Sequence, residues 1–134
     1  MNSTISRLAR LNAIVKKDKR YRLEAYVFVI EALYHKMEKL MINTPDERRH
    51  LTASELTDGI RDLGWERYGR LAKQVFEHWG MRSTSDFGEI VFNLIEAGEF
   101  TKTDEDKIED FNGLLDFEEL VKSYPLGDAG KTDG

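Results

Sequence analysis

No cysteine occurs in the 134 residues. That excludes disulfides, thiolate zinc sites and thiol catalysis, and it agrees with a reducing compartment. Just two prolines are present, which suits long helices. Long apolar runs are missing too: the longest, Ala25–Ile30, falls far short of the ~18–20 residues that cross a bilayer. At the N-terminus, Arg7 and Arg10 break up any signal-peptide apolar region. The expectation is a cytoplasmic protein with no membrane contact. Histidine is scarce, and His35, His50 and His78 fall at no HxxxH or HExxH spacing. GxSxG, the P-loop and GxGxxG are likewise absent. No metal, cofactor or catalytic residue is therefore assigned from sequence. An enzyme with a carboxylate-lined pocket stays as an alternative that only the fold would reveal.

Charge, by contrast, is plentiful and unevenly placed. The net charge of −5 conceals two halves of opposite sign. Residues 1–82 carry 16 Lys/Arg against 11 Asp/Glu, and residues 83–134 carry 4 against 14. The densest basic run holds Arg7, Arg10, Lys16, Lys17, Lys19, Arg20 and Arg22 against Asp18 alone. Either the halves neutralise each other, within one fold or in a dimer, or the basic end meets an anionic partner such as RNA or an acidic protein.

Apolar periodicity reads as helix nearly throughout. Leu8, Leu11, Ile14 and Val15 stripe Ile5–Lys17. Tyr26, Ile30, Leu33, Met37 and Leu40 stripe Arg22–Ile42, and Leu23, Val27, Tyr34 and Met41 widen that face into a core helix packed on two sides. Asn43–His50, polar and containing Pro45, reads as a loop. Thr52 with Glu55 forms a capping box, flanked by a Leu51/Leu56 staple. The helix that follows is expected to stop at Gly64, and a second one, Trp65–Trp79, at Gly80. Ser83–Gly98 has its own cap (Ser83, Asp86), an apolar stripe from Phe87 to Ile95, and a stop glycine. After it the period changes: Glu99–Thr103 and Ile108–Phe111 read as a hairpin, Leu114–Phe117 as a further short strand. A last stripe, Phe117 to Tyr124, ends at Pro125.

The fold expected is mainly α: one compact domain over 1–124 of five or six helices with a small C-terminal β-hairpin. Residues 1–20 form its basic N-terminal helix, and 125–134 a disordered tail. From Thr52 onward, over 52–117, the order of elements is that of a winged helix-turn-helix. Its reading helix would be Ser83–Gly98. That helix, however, holds Asp86, Glu89 and Glu96 and no cation, and the wing over Glu99–Phe111 holds six acids against Lys102 and Lys107. A duplex bearing a charge about every 1.7 Å repels such a face. Sequence-specific DNA reading is disfavoured, and a protein contact suits the helix better. An EF-hand register placed on Gly113 fails at its first ligand position, which is Ile108.

Most aromatic residues fall on expected inner faces. Phe28, Phe76 and Phe92 lie off the main stripes, as second-face core or as an exposed patch for a protein partner. On Arg49–Leu56 (R-H-L-T-A-S-E-L), Phe76–Phe92 (F-E-H-W-G-M-R-S-T-S-D-F-G-E-I-V-F) and Lys102–Asp106 (K-T-D-E-D), the chain resembles a small family of conserved hypothetical proteins of planctomycetes and verrucomicrobia. The resemblance spans Tyr21 to Leu120 and implies a bacterial protein. It brings no activity, cofactor or site residue with it. The function expected is a non-enzymatic protein-interaction module, meeting a partner or itself. RNA or ribosome binding through the basic N-terminal segment is the first alternative.

Overall fold

The computed structural model describes residues 3–40, 51–100 and 107–125. Its elements are α1 (Ser3–Lys17), α2 (Leu23–Lys39), α3 (Ala53–Tyr68), a 3-10 turn (Gly69–Leu71), α4 (Ala72–His78), α5 (Thr84–Glu96), a second 3-10 turn (Ile108–Phe111) and α6 (Glu119–Lys122). The chain is mainly helical, as its periodicity requires. Among the described residues there is no strand.

α2 is the axis of the packing. Ala25, Tyr26, Phe28, Val29, Ile30 and Ala32 are all buried, so a little over half of its circumference meets other elements, while Glu24, Glu31, Tyr34 and Glu38 form an exposed stripe. α1, α3 and α5 pack on it. The small residues decide how closely. A Cβ on Gly59 would lie 2.9 Å from Lys36 Cβ and 3.0 Å from the Ala32 carbonyl oxygen, so the glycine sets the α2–α3 crossing. Arg67 Nη1 donates to Glu31 Oε1 at 2.7 Å across the same pair. Glu31 therefore pairs between helices.

At the centre sits an aromatic cluster. Phe28 lies 5.3 Å from Phe76 and 5.4 Å from Trp79, between ring centroids. Phe76 also meets Phe87 and Phe117, which lie 5.6 Å apart. Offset and edge contacts of this kind add ~0.5–1.5 kcal/mol each beyond simple burial. Phe28 and Phe76 are 2% and 0% exposed. They are core, so the exposed-patch reading of these two is corrected. Phe92 is 42% exposed and does face solvent.

The reason Phe76 turns inward is a break that the glycine pattern misplaces. Gly64 does not end α3; it is buried inside it, where a Cβ would lie 2.7 Å from Phe76 Cζ. Its role is close approach of α3 to α4. The stop comes at Gly69, with φ 56°, and the 3-10 turn after it resets the helical phase. Ala72 and Phe76 then face the core, and Val75 is half-buried.

The other expected stops hold, and their hydrogen bonds show why. After α4, Gly80 N–H donates to Glu77 O at 3.0 Å and Met81 N–H to Phe76 O at 2.9 Å. After α5, Gly98 N–H donates to Ile95 O at 3.0 Å and Glu99 N–H to Leu94 O at 2.8 Å. Both are Schellman closures, which need the left-handed φ of 103° at Gly80 and 83° at Gly98. The capping box of α3 is complete: Thr52 Oγ1 accepts from Glu55 N–H at 3.0 Å, and Glu55 Oε1 from Thr52 N–H at 2.9 Å.

The C-terminal segment departs from expectation. Ile108–Phe111 is a 3-10 turn where a returning strand was expected, and Leu114–Phe117 is turn and irregular chain. Period-two patterning in so short a run is weak evidence, and here α5 supplies the partners a strand would have offered. Thr84 Oγ1 donates to Phe111 O at 2.5 Å and accepts from Leu114 N–H at 3.2 Å. Ser85 Oγ donates to Asn112 Oδ1 at 2.8 Å. A Cβ on Gly88 would sit 2.8 Å from Ile108 O, so this turn lies directly on the helix. Trp65 Nε1 donates to Leu120 O at 2.9 Å and ties α6 to α3. The Asn43–His50 loop, Thr101–Asp106 of the expected hairpin, and the tail beyond Pro125 lie outside the described residues.

Candidate functional site

The basic run is not one surface. Its cations divide into those used inside the fold and those left over. Arg7 Nε donates to Glu99 Oε1 at 2.7 Å, and Arg10 Nε donates to Glu99 Oε2. The Glu99 side chain is 1% exposed, whereas the arginines are 42% and 46% exposed. The Schellman closure at Gly98 turns Glu99 toward α1, so one buried carboxylate is clamped by two solvated guanidinium groups. α1 is thereby fastened to the end of α5.

Arg20 is also committed. Its Nη2 donates to Asp18 Oδ2 at 2.7 Å and to Glu89 Oε1 at 3.2 Å, and its backbone N–H donates to Asp18 Oδ1 at 3.1 Å. Asn93 Nδ2 donates to Asp18 Oδ2 at 3.0 Å and to Tyr26 Oη at 3.1 Å. The Arg20 hydrogen bond, joined by that of Asn93 and opposed by burial, holds the Asp18 carboxyl well below the usual carboxylate range. That direction is wrong for a general acid near neutral pH. Tyr21 donates to Asp86 Oδ1 at 2.5 Å, and Asp86 Oδ2 accepts from Arg82 N–H at 2.8 Å. Burial first, and then this carboxylate, pushes the Tyr21 phenol well above its ordinary value.

The connector between α1 and α2 runs over the Gly80 turn. Arg22 N–H donates to Trp79 O at 3.0 Å, and a Cβ on Gly80 would lie 2.1 Å from Arg20 O. The position of Asp18, Lys19 and Arg20 is therefore set by backbone contact with a distant turn.

What remains is Lys16, Lys17, Lys19 and Arg22. All four are exposed and make no ion pair with another described residue. Two of them border a groove of about 670 Å³ between α1, the connector and the C-terminal half of α5. Arg10, Ala13, Ile14 and Lys17 line one wall at helical spacing; Asn93, Glu96 and Ala97 line the other. Ala13, Ile14 and Ala97 make its apolar part, and Lys17 and Lys19 its rim. Phe92, one turn before Glu96, shares the face of α5 that leads into it. Arg22 and Lys16 do not line the groove. Charge density in the sequence singles out the cations here, but not Asn93, Glu96 or the small residues. The spacing 10, 13, 14, 17 on α1 is the signal that would have found that wall. No group of three or more His, Cys, Asp or Glu among the described residues is arranged to hold a metal ion. No described helix is long and apolar enough to cross a membrane.

Compared with protein-family models, with curated proteins and with solved structures, the chain matches none.

Proposed function

We propose that this chain is a non-enzymatic protein-interaction module of the cytoplasm and that it meets its partner through the α1–α5 groove. The observation that carries the reading is the union of an apolar floor with lysines that make no ion pair with another described residue. Ala13, Ile14 and Ala97 offer burial to an apolar side chain, and Lys17 and Lys19 offer charge to acids beside it. An acidic segment with an apolar anchor fits that chemistry. The helical order from Thr52 onward belongs to the same proposal. It is a helix-turn-helix-like arrangement whose second helix, α5, is packed into the core and used at its edge for a protein contact.

RNA binding through the basic segment fits less well. Three of its seven cations, Arg7, Arg10 and Arg20, are engaged by Glu99, Asp18 and Glu89. The groove is lined by no aromatic ring on which a base could stack, and Glu96 stands in its wall. The deciding experiment is fluorescence anisotropy with two labelled probes, an acidic amphipathic peptide and a single-stranded oligouridylate. We expect the peptide to bind and the Lys17→Glu/Lys19→Glu variant to weaken it at least about tenfold, a difference of ~1.4 kcal/mol. Tighter binding of the RNA, with a steep salt dependence, would overturn the reading. So would failure of both probes.

A further inference from the structure

The chain carries its own acidic segment with an apolar anchor. Leu114 is 39% exposed, in the loop that joins the Ile108–Phe111 turn to α6. Exposed carboxylates of Glu109, Asp110, Asp116 and Glu118 flank it in sequence. The loop is held in place before any partner arrives, because Thr84 and Ser85 bond it to the N-terminal turn of α5 at Phe111, Asn112 and Leu114. A fixed loop loses little entropy on docking.

Its complement lies at the other end of the same helix. The groove takes Asn93, Glu96 and Ala97 from the C-terminal end of α5, twelve residues beyond Thr84. At 1.5 Å per residue the two ends are about 18 Å apart. The loop cannot reach the groove of its own molecule. The acidic loop thus lies at the N-terminal end of α5, and Lys17 and Lys19 border the groove at its C-terminal end.

We infer that the occupant of the groove is a second copy of this chain, which inserts its Leu114 loop between Lys17, Lys19 and the Ala13/Ile14 floor. The contact is head to tail. Each molecule then keeps one free loop and one free groove, so assembly adds subunits in a row and does not stop at a closed pair. This inference rests on the proposal that the groove is a protein-contact surface, and it names the partner.

Two variants separate the surfaces. Lys17→Glu/Lys19→Glu disables the groove, and Glu109→Lys/Leu114→Ser disables the loop. All four side chains are exposed and make no hydrogen bond or ion pair among the described residues. Circular dichroism checks that each variant folds. Sedimentation velocity over a range of concentrations at low salt should show the wild type growing, and high salt should reverse it. Each variant alone should stay monomeric. Mixed together, they should form a one-to-one complex and nothing larger, since one good loop meets one good groove. A variant that assembles alone, or a mixture that stays monomeric, overturns the inference. A wild type that is monomeric at every concentration also overturns it. If the acidic peptide then still binds in a Lys17/Lys19-dependent way, the module reading survives; if it does not, both fall.

Discussion

The clamp at Glu99 permits a prediction whose sign runs against intuition: removing a third charged group should repair the damage done by removing two. The Glu99 side chain is 1% exposed and its partners Arg7 and Arg10 are nearly half exposed. The desolvation cost therefore falls almost wholly on the carboxylate. Replacing Glu99 by Gln leaves two arginines that water can solvate and a buried amide oxygen that still accepts a hydrogen bond. That loss is about 1–2 kcal/mol, the difference between a charge-assisted and a neutral hydrogen bond. Replacing Arg7 and Arg10 by Ala strands a buried charge, for which the penalty is about 3–5 kcal/mol. The triple variant R7A/R10A/E99Q removes that charge again. It keeps the lost packing of the arginine stems, so it should recover part of the loss, ~1–2 kcal/mol. Urea unfolding at neutral pH, with m-values compared to confirm similar unfolding, gives the four stabilities needed. A triple variant no more stable than the double would refute the assignment of the cost to the buried carboxylate.

Three further perturbations test other parts of the same argument. Gly80→Ala combines a left-handed φ with a Cβ 2.1 Å from Arg20 O, and it should destabilise by at least about 3 kcal/mol in thermal or urea unfolding; a loss under about 1 kcal/mol would mean that the connector does not cross this turn. Gly64→Ala gains ~1 kcal/mol of helix propensity. It must, however, displace the Phe76 ring, which is fully buried against Phe28, Trp79, Phe87 and Phe117; overpacking of about 1–3 kcal/mol should win, and a more stable variant would refute close α3–α4 approach. Asp18→Asn addresses pH. The Asp18 carboxyl is depressed in the folded chain, so its stabilisation is complete above the unfolded value near 3.9 and is lost as pH falls below it. The variant should be less stable at pH 7 and lose less on acidification, as urea midpoints taken from pH 7 down to pH 3 would show. Parallel wild-type and variant curves would sink that account.

Much of the fold could be read from residue pattern because its causes are local. Thr52 and Glu55 cap each other within one turn, and Gly80 and Gly98 end helices through bonds that span five residues. The burial of α2 follows from apolar residues spread over about half of its circumference. The misreadings all involve contacts between distant segments. Gly64 has the same local signature as a stop, and what distinguishes it is Phe76 on the next helix. The 3-10 turn at Ile108–Phe111 takes its hydrogen bonds from Thr84 and its room from Gly88, neither of which a period-two count can sense. Phe28 and Phe76 lie off the main stripes of their helices, where periodicity alone fits second-face core and exposed patch equally. The contact that decides for core joins Phe28 of α2 to Phe76 of α4, ring against ring.

The site follows the same division. A charge count identifies the basic segment; of its two expected uses, neutralisation within the fold is seen at Arg7, Arg10 and Arg20, and contact with an anionic partner is what we propose for Lys17 and Lys19. Arg7, Arg10 and Arg20 reach across 69 to 92 residues of sequence to Glu89 and Glu99. The opposite signs of the two halves thus hold α1 against α5. Those pairs in turn shape the groove, since the Glu99 clamp holds the middle of α1 and the Asp18–Arg20–Asn93 cluster holds the chain just past its C-terminal end. Lys17 and Lys19 stand on the rim so formed and pair with no carboxylate among the described residues. Exposed rim cations that make no ion pair with another described residue are the groups whose removal should leave stability within about 0.5 kcal/mol while changing what the groove binds.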